Sequence, residues 1–256
     1  MPEGPEIRRA ADKIADVLVG REIVRARFGL PKLRNKAKSL QGHSVCDVET
    51  RGKAMLTHFD HGTSIYSHNQ LYGVWRVVKG HKLPQSNRSL RLLLQTATHS
   101  AILYSASDIS LWPTGEPDQH PFLAKLGPDI MNENLQWRDI AERLKEAPFH
   151  RRDLASLYLD QGFLAGNGNY LRSEVLHDAG IHPRCRPAEL SRGQIGKLAR
   201  STLKISRRSY QTGGITVAPR LAASLTRQGL SREWRRFYVF GRTDQPCYRC
   251  QTAIVH

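Results

Sequence analysis

The sequence predicts an α+β chain of more than one domain, with a β-rich first half led by a single helix and a helical second half. Three observations carry this. A helical apolar period opens the chain, short strand-like segments follow with no helices between them, and helical periodicity returns after a proline-rich stretch. At 256 residues the chain has room for two domains, which typically hold about 100–200 residues each.

From Pro5 the apolar residues Ile7, Ala10, Ala11, Ile14, Val17 and Leu18 fall at helical spacing, and Gly20 follows as a stop. Strand character then appears over 44–50, 54–59, 64–68, 74–78, 90–95 and 101–104, separated by Gly and polar clusters. Strands at this spacing argue for an antiparallel sandwich or barrel rather than a parallel sheet. Pro117, Pro121 and Pro128 mark the domain boundary. Helices are predicted over 140–144, 153–161, 169–179 and 190–206, with Gly180 capping the third. The stretch 213–231 is rich in Gly, Thr and Arg with a weak pattern and reads as a mobile loop. Residues 234–242 alternate aromatic and basic side chains before Cys247-Tyr248-Arg249-Cys250.

The formal charge is +16, and it is unevenly spread. Residues 1–183 hold 24 basic and 20 acidic side chains, whereas 184–256 hold 15 and 3. Such a footprint fits a polyanion partner better than a general solubility device, and Arg, which dominates it, can grip phosphate with two hydrogen bonds at once. Composition alone leaves DNA, RNA and anionic membrane open, along with a merely solvated basic face. A hydrophobic content of 39% argues against disorder. No apolar run approaches the roughly 18–20 residues of a membrane span. The start Met-Pro-Glu-Gly-Pro-Glu has neither the basic head nor the apolar stretch of a secretory signal, so the cytoplasm is expected. Cys46, Cys185, Cys247 and Cys250 do not make a disulfide framework in a chain of this size.

Met-Pro at the terminus is the sharpest local feature. Removal of Met1 would expose the secondary amine of Pro2, and an α-amino group with a pKa of about 7.7–8 is partly neutral near pH 7. Such an amine can attack an aldehyde carbon to give an iminium ion, an electron sink for elimination. Glu3 and Glu6 lie beside it at the start of the first helix, where the macrodipole favours carboxylates whether or not they move protons. Arg51-Gly52-Lys53 reads as a hairpin turn that lifts Lys53 above a sheet, though solvated turn lysines are common. Gln70-Leu71-Tyr72-Gly73 is a second turn, either an exposed wedge between bases or a buried corner. Gly166-Asn167-Gly168-Asn169 leads into a helix whose free N–H groups suit phosphate, but a Gly-x-Gly-Asn turn alone is often just a turn.

Together these residues resemble the formamidopyrimidine-DNA glycosylase and endonuclease VIII family of DNA repair enzymes. The resemblance runs over nearly the whole chain. It rests on Pro2-Glu3-Gly4-Pro5-Glu6, on Thr50-Arg51-Gly52-Lys53, and on Leu159-Asp160-Gln161 leading to Ala165-Gly166-Asn167-Gly168-Asn169-Tyr170. The stretch from Tyr66-Ser67-His68 to Val74-Trp75, and His120-Pro121-Phe122-Leu123 before Gly127-Pro128-Asp129, are similar to the bacterial endonuclease VIII branch.

The resemblance implies an N-terminal catalytic β-sandwich with a leading helix over 1–124 and a helical helix–two-turn–helix DNA-binding domain over 125–212. A flexible basic loop at 213–233 and a partial zinc-finger region at 234–256 would complete the chain. It also implies a bifunctional DNA glycosylase and AP lyase of base excision repair that removes oxidised pyrimidines through a Schiff base on Pro2 and cuts the strand by β,δ-elimination. Pro2 would be the nucleophile, Glu3 the proton donor to the opening sugar ring, Lys53 a further proton donor, and Glu6 a support. Gln70, Leu71 and Tyr72 would fill the space of the flipped nucleotide. Lys125 and Asn169 would hold backbone phosphates, with Lys125 standing where the endonuclease VIII pattern has Arg. The expected partner is damaged double-stranded DNA, with no membrane, for a monomer in the bacterial cytoplasm, at the nucleoid when bound.

The family finger holds one zinc ion per chain with two Cys-x-x-Cys pairs, and zinc wants four ligands. Only Cys247 and Cys250 are in place, so the site is incomplete and zinc is expected only if the finger is completed beyond His256. A chain shortened at its end is preferred to an alternative closure, and would bind DNA weakly and eliminate incompletely because the family's hairpin Arg falls in the absent portion. The same chemistry on oxidised purines such as 8-oxoguanine or formamidopyrimidine, and a non-catalytic DNA-binding protein, are the alternatives.

Overall fold

The computed structural model of the protein describes residues 2–116 and 119–255. Met1, Pro117 and His256, invoked above for processing, the domain boundary and the finger, lie outside the described residues. The chain divides into two compact units, one of Ile7–Lys125 with Pro2, the other of Glu3–Glu6 with the residues from Leu126 onward. The expected first domain is therefore not one continuous block. Gly4 explains the exchange, since its N–H donates to Gly166 O at 2.8 Å.

Helix α1 (Gly4–Leu18) belongs to the first unit from Ile7 onward and there turns Ile7, Ala11, Ile14 and Leu18 inward. Eight strands follow: β1 (Arg25–Phe28), β2 (Val45–Arg51), β3 (Ala54–Phe59), β4 (Thr63–His68), β5 (Val74–Lys79), β6 (Leu90–Gln95), β7 (His99–Tyr104) and β8 (Asp108–Pro113). They form two antiparallel sheets, ordered β1-β6-β7-β5 and β2-β3-β4-β8. Phe28, Leu92, Leu94 and Leu103 from one sheet share a core with Val45, Met55, Phe59, Ile65 and Ile109 from the other, and α1 joins it. Two sheets facing across one core make a sandwich, which decides between the two architectures left open above. Strands β1 and β8 were not expected. The first is four residues long with Arg at both exposed positions, so its alternation barely registers, and the second begins just after Ser105, a non-glycine residue at φ 56°.

The second unit is helical: α2 (Trp137–Arg143), α3 (Leu154–Leu157), α4 (Asn169–Ala179), α5 (Arg192–Thr212) and α6 (Pro219–Arg227). Its core gathers Ile140, Leu157, Tyr158, Phe163, Leu171, Val175 and Leu198 among others. Gly180 ends α4 at φ 67°, as its sequence position suggested, and Ser191 caps α5 by accepting from Gln194 N. Buried hydroxyls on α5 are satisfied within the unit: Thr202 Oγ1 donates to Leu198 O and Ser206 Oγ to Thr202 O. Among the described residues no helix is long and apolar enough to cross a membrane.

The segment 213–233, expected to be a flexible loop, carries α6. Pro219 sits at the first helical position, where its missing N–H costs nothing, and Leu225 is buried. The two terms that hid it are Gly213-Gly214, which blur the start, and Arg220 and Arg227, which dilute the apolar period. Beyond it the chain is anchored by Glu174, fully buried in α4, whose carboxylate accepts from Tyr238 N, Val239 N and Phe240 N and from Thr216 Oγ1. Burial pushes the Glu174 carboxyl up, against these hydrogen bonds. Residues 234–255 otherwise form turns and one short antiparallel bridge, Pro246 with Ala253.

Asp178 ties three segments together. It accepts from Ser201 Oγ at 2.7 Å, pairs with Lys204 Nζ at 2.6 Å, and meets Arg249 Nη2 at 3.3 Å. Burial raises its carboxyl, but the Lys204 and Ser201 hydrogen bonds and the two cations outweigh it and leave the pKa below the ordinary range. A depressed carboxylate stabilises the fold fully above its unfolded pKa of about 3.9, and that contribution disappears as pH falls through the folded value. Asp178→Asn should therefore lower the melting temperature at pH 7, and the difference from the parent protein should vanish as pH falls through the depressed folded-state value, as followed by circular dichroism.

Candidate active site

In the second unit the site is built around the first turn of α4. The opening N–H groups of a helix have no partner inside it, and here the residue in the N-cap position is Gly168, which has no side chain to supply one. Glu3 supplies it from the other end of the sequence. Its carboxylate accepts from Tyr170 N through Oε1 at 2.9 Å and from Leu171 N through Oε2 at 3.2 Å, and the residue is 3% exposed. Charge-assisted bonds of this kind contribute about 1.5–3 kcal/mol each, and the macrodipole of α4 acts in the same direction. Both carboxylate oxygens are thereby given a fixed direction. Gly168 is required by space alone: a Cβ there would stand 2.4 Å from Glu3 Cδ, while its φ of −151° suits any residue.

Glu6 is held one turn along. Its Oε2 accepts from Glu3 N at 3.1 Å, and the Tyr170 hydroxyl donates to the carboxylate at 3.0 Å. Arg236 Nη2 lies 3.6 Å from Oε1. Since the phenol hydrogen goes to Glu6, Ser209 Oγ, 2.9 Å from the Tyr170 oxygen, is the donor in that pair. Burial, then the charges of Glu6 and Glu3, push the Tyr170 phenol well above its ordinary pKa, so it stays a donor. Tyr170 and Arg236 were not singled out as site residues from sequence. Tyr170 stood at the end of the Gly-Asn motif and Arg236 in the aromatic-basic run, but neither position reveals a carboxylate partner more than 160 residues away. Asn169 opens α4 with its side chain exposed.

In the first unit Gly52 and Lys53 form the two-residue turn between β2 and β3, with Arg51 opposite Ala54. Gly52 has φ 62°, the left-handed first position that such a turn assigns to glycine. Lys53 is half-buried, and its charge reaches His68, whose pKa is lowered by burial and further by Lys53 against the opposing charge of Asp108. The turn at 70–73 is exposed rather than a buried corner: Leu71 is 61% and Tyr72 70% exposed. Its backbone is nevertheless rigid. Gln70 sits at φ 51°, its Oε1 accepts from Ser107 Oγ at 2.6 Å, Gly73 N donates to Asn69 O at 2.7 Å, and Arg88 Nη1 donates to Tyr72 O at 2.8 Å. Lys125 is exposed at the end of a short 3-10 turn, Leu123–Lys125. Pro2 is half-buried and joined to Glu3 by one peptide bond.

Cys247 is buried with Sγ 3.7 Å from His177 Nε2, and Cys250 is exposed. Hydrogen bonds from Thr252 and then Cys247 hold the Cys250 thiol below its ordinary range. Two thiols are half of a tetrahedral shell. The described residues do not complete it, and no step proposed below runs through a metal.

The steric demand at Gly168 gives a direct check of the Glu3 cap. Gly168→Ala should leave the helical content intact but raise hydrogen exchange at the Tyr170 and Leu171 amides by about tenfold, the scale of a lost N-cap. Unchanged exchange at both would mean that Glu3 does not cap α4.

Comparison with known proteins agrees with this architecture. Residues 1–107 match the formamidopyrimidine-DNA glycosylase N-terminal domain, and residues 126–220 match the H2TH domain of the same enzymes. Endonuclease 8 of Klebsiella pneumoniae is 45% identical over 254 residues, covering 99% of this chain and 93% of that one. Endonuclease 8 of Pectobacterium atrosepticum is 43% identical with the same coverage. Among solved structures, Lactococcus lactis Fpg in a complex with DNA containing N7-benzyl-Fapy-dG shares the fold with a TM-score of 0.79 at 22% identity, over 99% of this chain and 93% of that chain. Both halves match their own family model and the identity to endonuclease 8 extends across nearly the whole of both chains, so this chain belongs to the formamidopyrimidine-DNA glycosylase and endonuclease VIII family, whose members are DNA glycosylases with AP lyase activity in base excision repair.

Proposed function

We propose that this glycosylase and lyase removes oxidised pyrimidines from duplex DNA by attack of the Pro2 amine, with Glu3, Glu6 and Lys53 serving that attack. The observation that carries the reading is the fixed Glu3 carboxylate one peptide bond from Pro2. Once Met1 is removed, the secondary amine of Pro2 attacks C1′ of the damaged nucleotide, the bond from C1′ to the base breaks, and the base leaves with the bonding pair and the proton that the amine gives up. A proton delivered to the ring oxygen by Glu3 opens the sugar and leaves an iminium ion. That cation draws electrons from C2′ as its proton is lost, breaking the C3′–O bond, and a second elimination breaks the C5′–O bond. Water then hydrolyses the iminium and frees Pro2. Lys53 serves as a further proton donor, and Glu6 steadies Glu3 through its bond to Glu3 N.

Gln70, Leu71 and Tyr72 suit the space that a flipped nucleotide leaves, because the tip is rigid in backbone and apolar in side chain. Lys125 and Asn169 are proposed as phosphate contacts. The domain limits 1–124 and 125–212 are retained as the functional halves, catalytic and DNA-binding. Oxidised pyrimidines are favoured over purines by the similarity to proteins named endonuclease 8. Cys247 and Cys250 are proposed as one half of a structural zinc site.

Borohydride reduction of the iminium should trap a covalent complex on DNA bearing thymine glycol. Glu3→Gln should lower base release by about 10²–10⁴-fold, the usual share of a positioned proton donor, while an N-terminal extension that blocks the Pro2 amine should abolish trapping. Full trapping from the blocked protein would exclude Pro2, and faster release of 8-oxoguanine than of thymine glycol would assign the oxidised-purine branch. Leu71→Ala combined with Tyr72→Ala should shift stability by no more than about 0.5 kcal/mol, as for exposed positions generally. On duplex substrate the same pair should lower kcat/KM by about tenfold or more, since unstacking a base costs a few kcal/mol. Normal kcat/KM would remove the wedge.

A further inference from the structure

The first unit brings three metal-ligating side chains to one corner of the β2-β3-β4-β8 sheet. His43 lies just before β2, and Asp60 and His61 stand in the turn between β3 and β4. One donor atom from each lies within 4.8 Å of the others. His43 Nδ1 is 2.9 Å from Asp60 Oδ1, and His61 Nδ1 is 3.6 Å from the same oxygen. The two imidazoles lie over one another with centroids 3.9 Å apart. Asp60 Oδ2 accepts from Ser44 N at 2.9 Å, which aims Oδ1 at the rings.

The backbone that carries these groups is pinned. Asp60 N donates to Ser44 O at 3.0 Å, Ile23 N to His43 O at 2.9 Å, and Thr114 N to Gly62 O at 2.8 Å. Gly62 closes the turn at φ 78°. Among the described residues, both ring nitrogens of His61 are shut off from solvent and neither has a hydrogen-bond partner. A buried polar group left without one costs about 1–3 kcal/mol. His43 and Asp60 keep 40% and 44% of their side-chain surface exposed, which leaves an entry path from solvent. None of the three residues takes part in the glycosylase chemistry described above.

We propose that this corner binds one divalent transition-metal ion through His43, Asp60 and His61, tying the start of β2 to the β3–β4 turn. Two imidazoles and one carboxylate suit zinc, cobalt, nickel or copper rather than magnesium or calcium, which prefer all-oxygen shells. Water fills the remaining position. Coordination takes the place of the hydrogen bond between His43 and Asp60, so the neutral His43 ring carries its proton on Nε2 and offers the Nδ1 lone pair to the ion. The ion is a staple for the sandwich and has no part in elimination.

The test uses the full chain, stripped with a chelator and titrated with Co2+. A Cys247→Ser, Cys250→Ser variant removes the thiols that would compete, and also the intense charge-transfer bands that thiolate ligands give. This variant should retain one Co2+ per chain after desalting. Adding His43→Gln or His61→Asn should weaken its binding by about 100-fold or more, beyond the 10–100-fold that losing an outer hydrogen-bond partner costs, with the circular dichroism unchanged. Failure of the cysteine-free variant to take up Co2+, or uptake that survives either histidine substitution, would overturn the proposal.

Discussion

The Glu3 carboxylate on the first turn of α4 is the contact on which the rest of the site depends. A helix start must find partners for its N–H groups, and in α4 the N-cap residue has no side chain to offer. A carboxylate from the third residue of the chain meets that need. The requirement works in both directions. The helix gains its cap, and the terminus gains a fixed acid beside a proline whose amine is the proposed nucleophile. Gly168 and Gly166 follow from the same contact, one to leave room for the carboxylate and the other to let the backbone turn at φ 97° beside Gly4. Glu6, Tyr170 and Ser209 extend it as a chain of hydrogen bonds into α5.

Much of this was legible from residues in order, because the elements concerned are local. The span of α4 and its glycine cap, and the strands at 54–59 and 90–95, are apolar-rich runs of suitable length bounded by clear breakers. The strand pattern left sandwich and barrel open and only the family resemblance pointed to the sandwich, since closure depends on which strands are neighbours, and strands β1 and β8 were too weakly patterned to count. Helix α6 was missed because its arginines and the preceding glycines mask three buried or half-buried apolar positions. The site divides the same way. Pro2, Glu3 and Lys53 could be named from their residue types and the family resemblance, and the turn that holds Lys53 could be read from its glycine. The partners of Glu3 and Glu6 could not, because a hydrogen bond across more than 160 residues leaves no local pattern. The pairing of His43 with Asp60 and His61 was hidden because it depends on how the approach to β2 packs against the β3–β4 turn, which a spacing of 17 residues does not reveal.

The basic excess after residue 183 also acquires a more specific meaning. Several of its arginines have structural duties before any ligand is considered: Arg236 faces Glu6, Arg249 meets Asp178, and Arg242 lies over the Tyr248 ring at 3.5 Å. Charge that balances internal carboxylates is unavailable as simple phosphate affinity. The salt dependence of DNA binding should thus reflect fewer contacts than the raw count of cations suggests. The tip at Leu71 and Tyr72 is proposed to contribute in a different way, through shape and apolar surface held by a backbone already strained at Gln70.

The central claim is that Gly168 matters to the chemistry only by making room for Glu3. A double-mutant cycle on single-turnover base release tests it most directly, with Gly168→Ala and Glu3→Gln measured singly and together. The account predicts strong non-additivity, so that Gly168→Ala costs little once Glu3 has lost its acid. Losses that simply multiply would contradict it.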